Sequence, residues 1–514
     1  MHTKKFMTNG VLVTISQLLW VALGLLSRRV FVSLLSVEYL GYDNVFSNVL
    51  SLLSVADLGM ESVIAVRLYE AVTKKDHEST CKLIWIYKWF YRIVAGVVFF
   101  GSIILYPFLP YIISRPSASW EYLSVVYFMQ VAAVVAGYFL SYKRAVFIAN
   151  QQNYYCSLAD LLMRLVTQVL QILVLLIWQS YLLYLAVKLS ASPLANVVLA
   201  FMSRKKYPYL TTSIHATRQD IRRFKIVTES KNFLIHKVSS LVFNATGTII
   251  VSAFCGIYTA ALYGNYASLY LMATGILLTQ PFNALKSAVG NLLHEDISPE
   301  RQRHLFEAIS TAGDWYSLQI MLGFFLFTQP VMELWLGRKF LMPDGLVLAY
   351  SLSQGVLVWY YTMYTYRGVL GNFARDRWFQ IASVAVNIVI SISLVRSLES
   401  VAVIIGSIVG CFVSVCGFAV VVYGDFLQCG IGSYLRRRLL LLGTMVLELW
   451  LLCHTMDVSP TLSFGALAVR FLIWVAFWFI NGVLLRKTAG ADELQRIIIS
   501  FAHSCAAKLK KRRV

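Results

Sequence analysis

The sequence predicts an all-α, polytopic membrane protein of about 14 transmembrane helices, because its apolar residues are abundant, gathered into runs and separated by basic clusters. Of the 514 residues 58% are hydrophobic and 14% charged, against roughly 25% charged in soluble domains, and the mean hydropathy is +0.67. So little charge could not cover a soluble fold of this size. Runs such as 94–104, 241–253 and 401–422 approach or exceed the ~20 residues that carry a helix across ~30 Å of hydrocarbon. The 45 Lys and Arg exceed the 25 Asp and Glu by a net +20, and the excess sits between the runs. The positive-inside rule accounts for that placement, so nucleic acid is not an expected partner.

The first span, 10–36, follows Lys4 and Lys5. It is too long for the apolar core of a signal peptide and lacks a clear cleavage site, so it is expected to be retained. The second, 42–70, stops before Lys74 and Lys75, and the third, 83–113, lies between Lys82 and Arg115. The fourth, 120–142, ends at Lys143 and Arg144, while the fifth, 157–178, and the sixth, 182–203, lead into a linker holding eight Lys and Arg. Beyond it come 232–254, 260–290, 305–331 after Arg301 and Arg303, 345–366 before Arg367, 378–396 after Arg375 and Arg377, and 401–423. Two more spans, 439–456 after Arg436, Arg437 and Arg438, and 462–485, precede a basic tail. With the N-terminus cytoplasmic, the inner segments hold about 31 of the 45 basic residues, and the outer loops hold only Arg115, Arg338, Lys339 and Arg396. Both termini are therefore expected in the cytoplasm.

Shifted by 223 residues, the chain lays its first six spans on the next six without gaps. Asn9 then meets Asn232, Gly24 meets Gly247, Gly41 meets Gly264, Pro107 meets Pro330, Arg115 meets Arg338 and Arg144 meets Arg367. Because six is even, the two sets run in the same direction. The expected organisation is an N-terminal six-helix lobe (9–203), a basic cytoplasmic linker (204–231), a parallel C-terminal six-helix lobe (232–423), two extra helices (424–485) and a basic cytoplasmic tail (486–514).

Two patches carry a family resemblance. One comprises Ser36 to Tyr42 (SVEYLGY), Phe46-Ser47-Asn48, Leu50 to Gly59 (LSLLSVADLG), Leu68-Tyr69, Lys75-Asp76, Tyr87-Lys88 and Tyr91-Arg92. The other comprises Tyr142-Lys143-Arg144, Ala149-Asn150-Gln151 and Tyr154, with the repeat counterpart Arg367 to Gly371 (RGVLG) and Asp376-Arg377. Both resemble bacterial Wzx-type polysaccharide flippases of the multidrug/oligosaccharidyl-lipid/polysaccharide exporter superfamily. The resemblance implies a transporter of the bacterial cytoplasmic (inner) membrane, not an enzyme, that exports undecaprenyl-diphosphate-linked oligosaccharide units, the precursors of O-antigen, capsule or exopolysaccharide. It implies no cofactor. Its partners would be the lipid-linked oligosaccharide, membrane lipids and other membrane proteins of glycan assembly. Drug antiporters of the superfamily typically have twelve helices and the polysaccharide branch often fourteen, so the added pair here could offer a groove for a prenyl chain.

Charges at bilayer depth cost at least ~2.5 to 3.5 kcal/mol each on insertion scales and need a partner or a wet cavity. The spans hold ten cations, Arg28, Arg29, Arg67, Lys88, Arg92, Arg164, Lys188, Lys237, Lys286 and Arg470, against six acids, Asp43, Asp57, Glu61, Asp160, Asp314 and Glu448. An exporter of cationic drugs needs an acidic cavity, whereas a carrier of a diphosphate needs Arg or Lys to replace lost water. The candidate binding residues are Arg28, Arg29, Lys88, Arg92 and Lys237. Arg28 and Arg29 point about 100° apart on a helix, so one of them faces a cavity. Lys88 and Arg92 lie one turn apart on one face, and for these two and Lys237 the cavity reading stands level with snorkelling to headgroups. Asp57 and Glu61, four apart, are expected to pair with such arginines in preference to carrying a coupling proton or sodium ion. Arg67 and Lys286 read as snorkelling to headgroups. The aromatics Trp359, Tyr360, Tyr361, Tyr364 and Tyr366 read as packing or an interfacial belt in preference to a sugar platform. Gly406-x-x-x-Gly410 is a candidate close helix contact, and Arg470, outside the twelve-helix core, is expected to be tolerant of change.

No GxSxG, HExxH or P-loop occurs, and the eight histidines show no ligand spacing, so no catalytic residue and no metal site is assigned. The eight cysteines are scattered and form no CxxC, which supports neither a disulfide framework nor zinc. Two other readings stay open beside the flippase: a cation-coupled exporter of small amphiphiles, and a membrane glycan polymerase or ligase.

Overall fold

The structure is a computed structural model that describes residues 22–54, 60–150, 152, 154–211, 214–217, 219, 220, 224, 226–293, 298–370, 375–455, 463–487 and 490–496. Their regular structure is helical throughout. A first helix, α1, covers 22–34. It is followed by α2 (Glu38–Leu53), α3 (Met60–Thr73), α4 (His77–Leu105), α5 (Trp120–Ser141), α6 (Tyr154–Trp178), α7 (Tyr181–Lys206) and α8 (Ile226–Cys255). Then come α9 (Ile257–Thr274), which runs through a π-helical stretch into α10 (Gln280–Leu293), α11 (Pro299–Leu336) and α12 (Asp344–Leu370). The last are α13 (Arg377–Leu398), α14 (Ser400–Val421), α15 (Gly432–Thr455) and α16 (Phe464–Leu484). Of the first span read from the sequence, residues 10–21 lie outside the described residues; each of the other spans coincides with one or two of these helices, and the protein is an all-α, multi-pass membrane protein.

Helix starts are set by side-chain caps. Asp76, Ser119, Ser180, Ser298 and Ser463 accept from backbone N–H groups three residues on, at 2.9 to 3.5 Å. Among the described residues nine helices are long and apolar enough to cross a membrane. Some of the others are shorter, and α12, which is long enough, turns hydrogen-bonding groups inward: it buries Ser351, Gln354, Thr362, Thr365 and Arg367. The expected span 42–70 is met by α2, which starts earlier at Glu38, and by α3; residues 55–59, and so Asp57, lie outside the described residues.

The chain divides into two compact units, Met1–Asn265 and Tyr266–Val514. In the first, α2 packs against α8 and the start of α9 at glycines matched by the repeat. A Cβ on Gly41 would stand 2.8 Å from the Ile257 carbonyl, and one on Gly264 would collide with the Asn44 amide. An aromatic-rich core of Leu83, Tyr87, Tyr91, Val146, Phe147 and Leu199 joins α4, a short helix at Arg144–Ala149 and α7. The linker is tied to α4: Lys82 pairs with Asp220 at 3.4 Å. The Thr217 backbone N–H and hydroxyl, each 2.8 Å away, hold the Asp220 carboxyl below its usual range, with Lys82 adding to the effect.

In the second unit α11 is the central helix, with 78% of its most apolar window buried against 11% for α16. The tightest pairing is α13 with α14, where a Cβ on Gly406 would lie 2.6 Å from the Asn387 carbonyl. The aromatics of α12 pack inside the unit: Trp359 is buried and donates to Ser317 Oγ at 3.1 Å, and Tyr361 stacks on Phe282.

Three readings from sequence need correction here. The cluster Arg436 to Arg438 is not a loop before a span starting at 439, because α15 already begins at Gly432. Arg437 and Arg438 use their charge inside the unit, pairing with Asp314 of α11. Arg470 is 4% exposed and donates to the Leu326 carbonyl at 2.8 Å, so it anchors α16 and is no neutral position. Lys286 does not simply reach outward, since its Nζ lies 4.9 Å from the centre of the Tyr364 ring.

Candidate functional site

The polar interior of the first unit is built from α1, α2, α5 and α7. Arg28 and Arg29 divide as adjacent helix residues must. Arg28 is half-buried and donates from Nε to Asn265 Oδ1 at 2.8 Å, while Arg29 is exposed. On α2, Asp43 pairs with Lys188 of α7 and accepts from Gln130 Nε2 of α5 at 3.2 Å. Gln130 Oε1 in turn accepts from Ser47 at 3.2 Å. Asp43 also acts electrostatically on Arg28.

Lys188 lines a cavity of about 410 Å3 whose wall sets Ser141, Arg144, Ser192 and Asn196 among apolar groups such as Ala133, Val134 and Leu189. Arg144 is fully engaged. It donates to both oxygens of Asp160, at 2.8 and 2.6 Å, and from Nε to Asn196 Oδ1 at 2.6 Å. Its repeat counterpart in the second unit, Arg367, also forks a carboxylate, that of Asp376, but through Nε and Nη2.

Lys88 is half-buried, and Arg92 is exposed with its guanidinium 5.0 Å from the centre of the Trp89 ring. They belong to a larger basic group. Lys88 and Arg204 act electrostatically on Lys143, and Arg92 and Arg204 on Tyr142. The side chains of Lys237 and Glu61 lie outside the described residues, as does Asp57 entirely. In the sequence, Asp43, Lys188 and Asp160 stand out only as buried charges. A signal for one of them is nonetheless present, since Lys188, Ser192 and Asn196 recur every fourth residue on one face of α7.

The second unit offers a site of opposite character. A groove of about 470 Å3 is lined by apolar groups from α9, α11 and α16, among them Leu269, Ile320, Phe324, Val331, Phe471 and Trp474. A neighbouring cavity of about 350 Å3 shares Tyr316 with it and is walled by Phe282, Leu285, Trp315 and Leu494. The α16 wall is fixed by indole N–H groups: Trp474 donates to the Gln319 carbonyl at 3.1 Å, and Trp315 of α11 to the Trp478 carbonyl at 3.3 Å.

The fold is shared with several solved structures. The chain is similar to a lipid II flippase, MurJ, in an inward closed conformation, with a TM-score of 0.66 and 12% identity over 93% of this chain and 99% of that one. It is similar to an inward-facing multidrug resistance MATE transporter of the MOP superfamily (TM-score 0.58, 14% identity, 78% of this chain and 93% of that one). It is also similar to a singly substituted form of the Vibrio cholerae MATE transporter VcmN (TM-score 0.53, 15% identity, 80% of this chain and 95% of that one). At such identities the likeness is one of fold. Among curated protein sequences there is no match. Residues 6–281, more than half the chain, match the polysaccharide biosynthesis protein family, and the chain belongs to that family.

Proposed function

We propose that this protein flips undecaprenyl-diphosphate-linked oligosaccharide units, precursors of O-antigen, capsule or exopolysaccharide, from the cytoplasmic to the outer leaflet of the inner membrane. Both termini lie in the cytoplasm, and two parallel six-helix repeats work by alternating access. The observation that carries this reading is the pairing of two kinds of site in one chain. One unit holds a cavity with the cations Lys188 and Arg144 on its wall and Arg28 near Lys188, and the other an apolar groove walled by the added helix α16. An anionic head group on a long prenyl chain requires both: cations in place of lost water, and hydrocarbon contact for the chain. Membership of a polysaccharide biosynthesis family and a fold shared with a lipid II flippase support the same reading.

Within it, Arg28, Lys88, Arg92 and Lys237 bind the diphosphate and the first sugars, and Arg29, about 100° round α1 from Arg28, contributes less. The reading is tested in a bacterial strain deleted for its own polysaccharide flippase. Expression of this protein is expected to restore surface glycan. Arg28→Ala and Lys88→Ala, at unchanged protein level, are expected to lower export roughly 10- to 150-fold, the worth of one charge-assisted contact of about 1.5 to 3 kcal/mol. Arg29→Ala is expected to be milder. Normal export by the Arg28 and Lys88 variants would remove the cationic-cavity basis of the reading.

A further inference from the structure

We infer that Asp43 is a built-in counter-anion that occupies Lys188 while the carrier is empty and is displaced by the anionic head group of the cargo. This rests on the proposed function, and concerns how its binding site is kept neutral between cargoes. Asp43 is 8% exposed and is held from two other helices: it pairs with Lys188 of α7 and accepts from Gln130 of α5, which is itself fixed by a hydrogen bond from Ser47, one turn after Asp43 on α2. The carboxylate is therefore positioned by its surroundings and not left to find a partner.

The two cations on the cavity wall differ in what they can still do. Arg144 has its fork and its Nε committed to Asp160 and Asn196, a bidentate arrangement that a rigid guanidinium leaves only by breaking several bonds together. Lys188 is a point charge with three donors on a flexible stem, and its side chain is 38% accessible. Asp43 pairs with it, and the same lysine side chain lines the cavity together with Ser192 and Asn196, one and two turns on along α7. A diphosphate entering that cavity meets Lys188 as the exchangeable cation.

Exchange solves a problem that every carrier of a buried anion has. An ammonium left at bilayer depth after release would be an uncompensated charge, and the empty protein would be trapped before it could reset. With Asp43 in place, Lys188 has an anionic partner both with and without cargo. The same competition weakens binding of the cargo, which favours release over tight retention.

Purified protein in detergent is titrated with farnesyl diphosphate, a diphosphate on a short prenyl chain, with farnesol as the neutral control. Asp43→Asn removes the charge and keeps the shape. It is expected to bind farnesyl diphosphate at least tenfold more tightly than the unsubstituted protein, with farnesol binding unchanged. Lys188→Gln is expected to bind at least tenfold more weakly, and adding Asp43→Asn to Lys188→Gln should change nothing further. If Asp43→Asn does not fold, Asp43→Ser carries the same expectation. Binding by the unsubstituted protein that is not strengthened in the folded Asp43 variant overturns the counter-anion inference and leaves the proposed function standing. Failure of the unsubstituted protein to prefer farnesyl diphosphate over farnesol contradicts the diphosphate cargo itself, and the inference falls with it.

Discussion

Replacing Arg367 with Ala is expected to abolish most of the folded protein. Arg367 and Asp376 are both 0% exposed, and the guanidinium donates from Nε and Nη2 to the two carboxylate oxygens at 2.6 Å each. The pair clamps the end of α12 to the start of α13. Removing one partner strands the other charge in a low-dielectric interior, which costs about 3 to 5 kcal/mol, a large part of the roughly 5 to 15 kcal/mol that holds a typical protein together. Asp376→Ala should do the same. The double variant Arg367→Leu with Asp376→Leu should recover much of the loss, because no charge is then left buried. Thermal midpoints in detergent for the two single variants and the double variant measure this directly. Additive losses in the double variant would mean that the pair does not act as a unit of stability.

The second large effect is expected where the added helix α15 joins the second unit. Arg438 is 1% exposed, pairs with the fully buried Asp314 and donates to Ser310 Oγ at 2.9 Å. Its guanidinium lies 4.7 Å from the centre of the Tyr434 ring and 5.2 Å from that of Trp359. Arg438→Ala is expected to cost about 3 to 5 kcal/mol, the loss of a buried pair, and to loosen α15 and α16 from α11. Arg437 shares Asp314 at 2.5 Å but is 21% accessible on its side chain, so Arg437→Ala should cost clearly less. Limited proteolysis between α14 and α15, together with the thermal midpoint, separates the two variants. Equal resistance in both would contradict the ranking.

The helices were legible in the sequence because a bilayer forces long apolar runs, and basic clusters punctuate them. The repeat pointed to Arg144 and Arg367 as equivalent, and both prove to make a two-point contact with a carboxylate. Their partners were not legible, because Asp160 lies 16 residues after Arg144 whereas Asp376 lies nine after Arg367. Only tertiary packing decides such pairings. Asp43 and Lys188 are 145 residues apart and no spacing rule links them. Arg438 reads as an inner-loop charge until α15 is seen to begin at Gly432. The apolar groove escaped residue-level reading for a different reason: Ile320, Phe324 and Phe471 look the same in sequence whether they face lipid, a neighbouring helix or a prenyl-sized hollow.

Transport itself is the most direct measure of the proposed function. Purified protein is reconstituted into vesicles whose outer leaflet is loaded with a fluorescent undecaprenyl-diphosphate oligosaccharide, and the fraction shielded from an external quencher is followed with time. The expected result is rapid movement of the lipid-linked glycan between leaflets, lost with Lys188→Gln and with Arg28→Ala. Vesicles that leave the glycan in place, yet accumulate a cationic dye when a proton or sodium gradient is applied, would contradict the flippase and assign the protein to cation-coupled export.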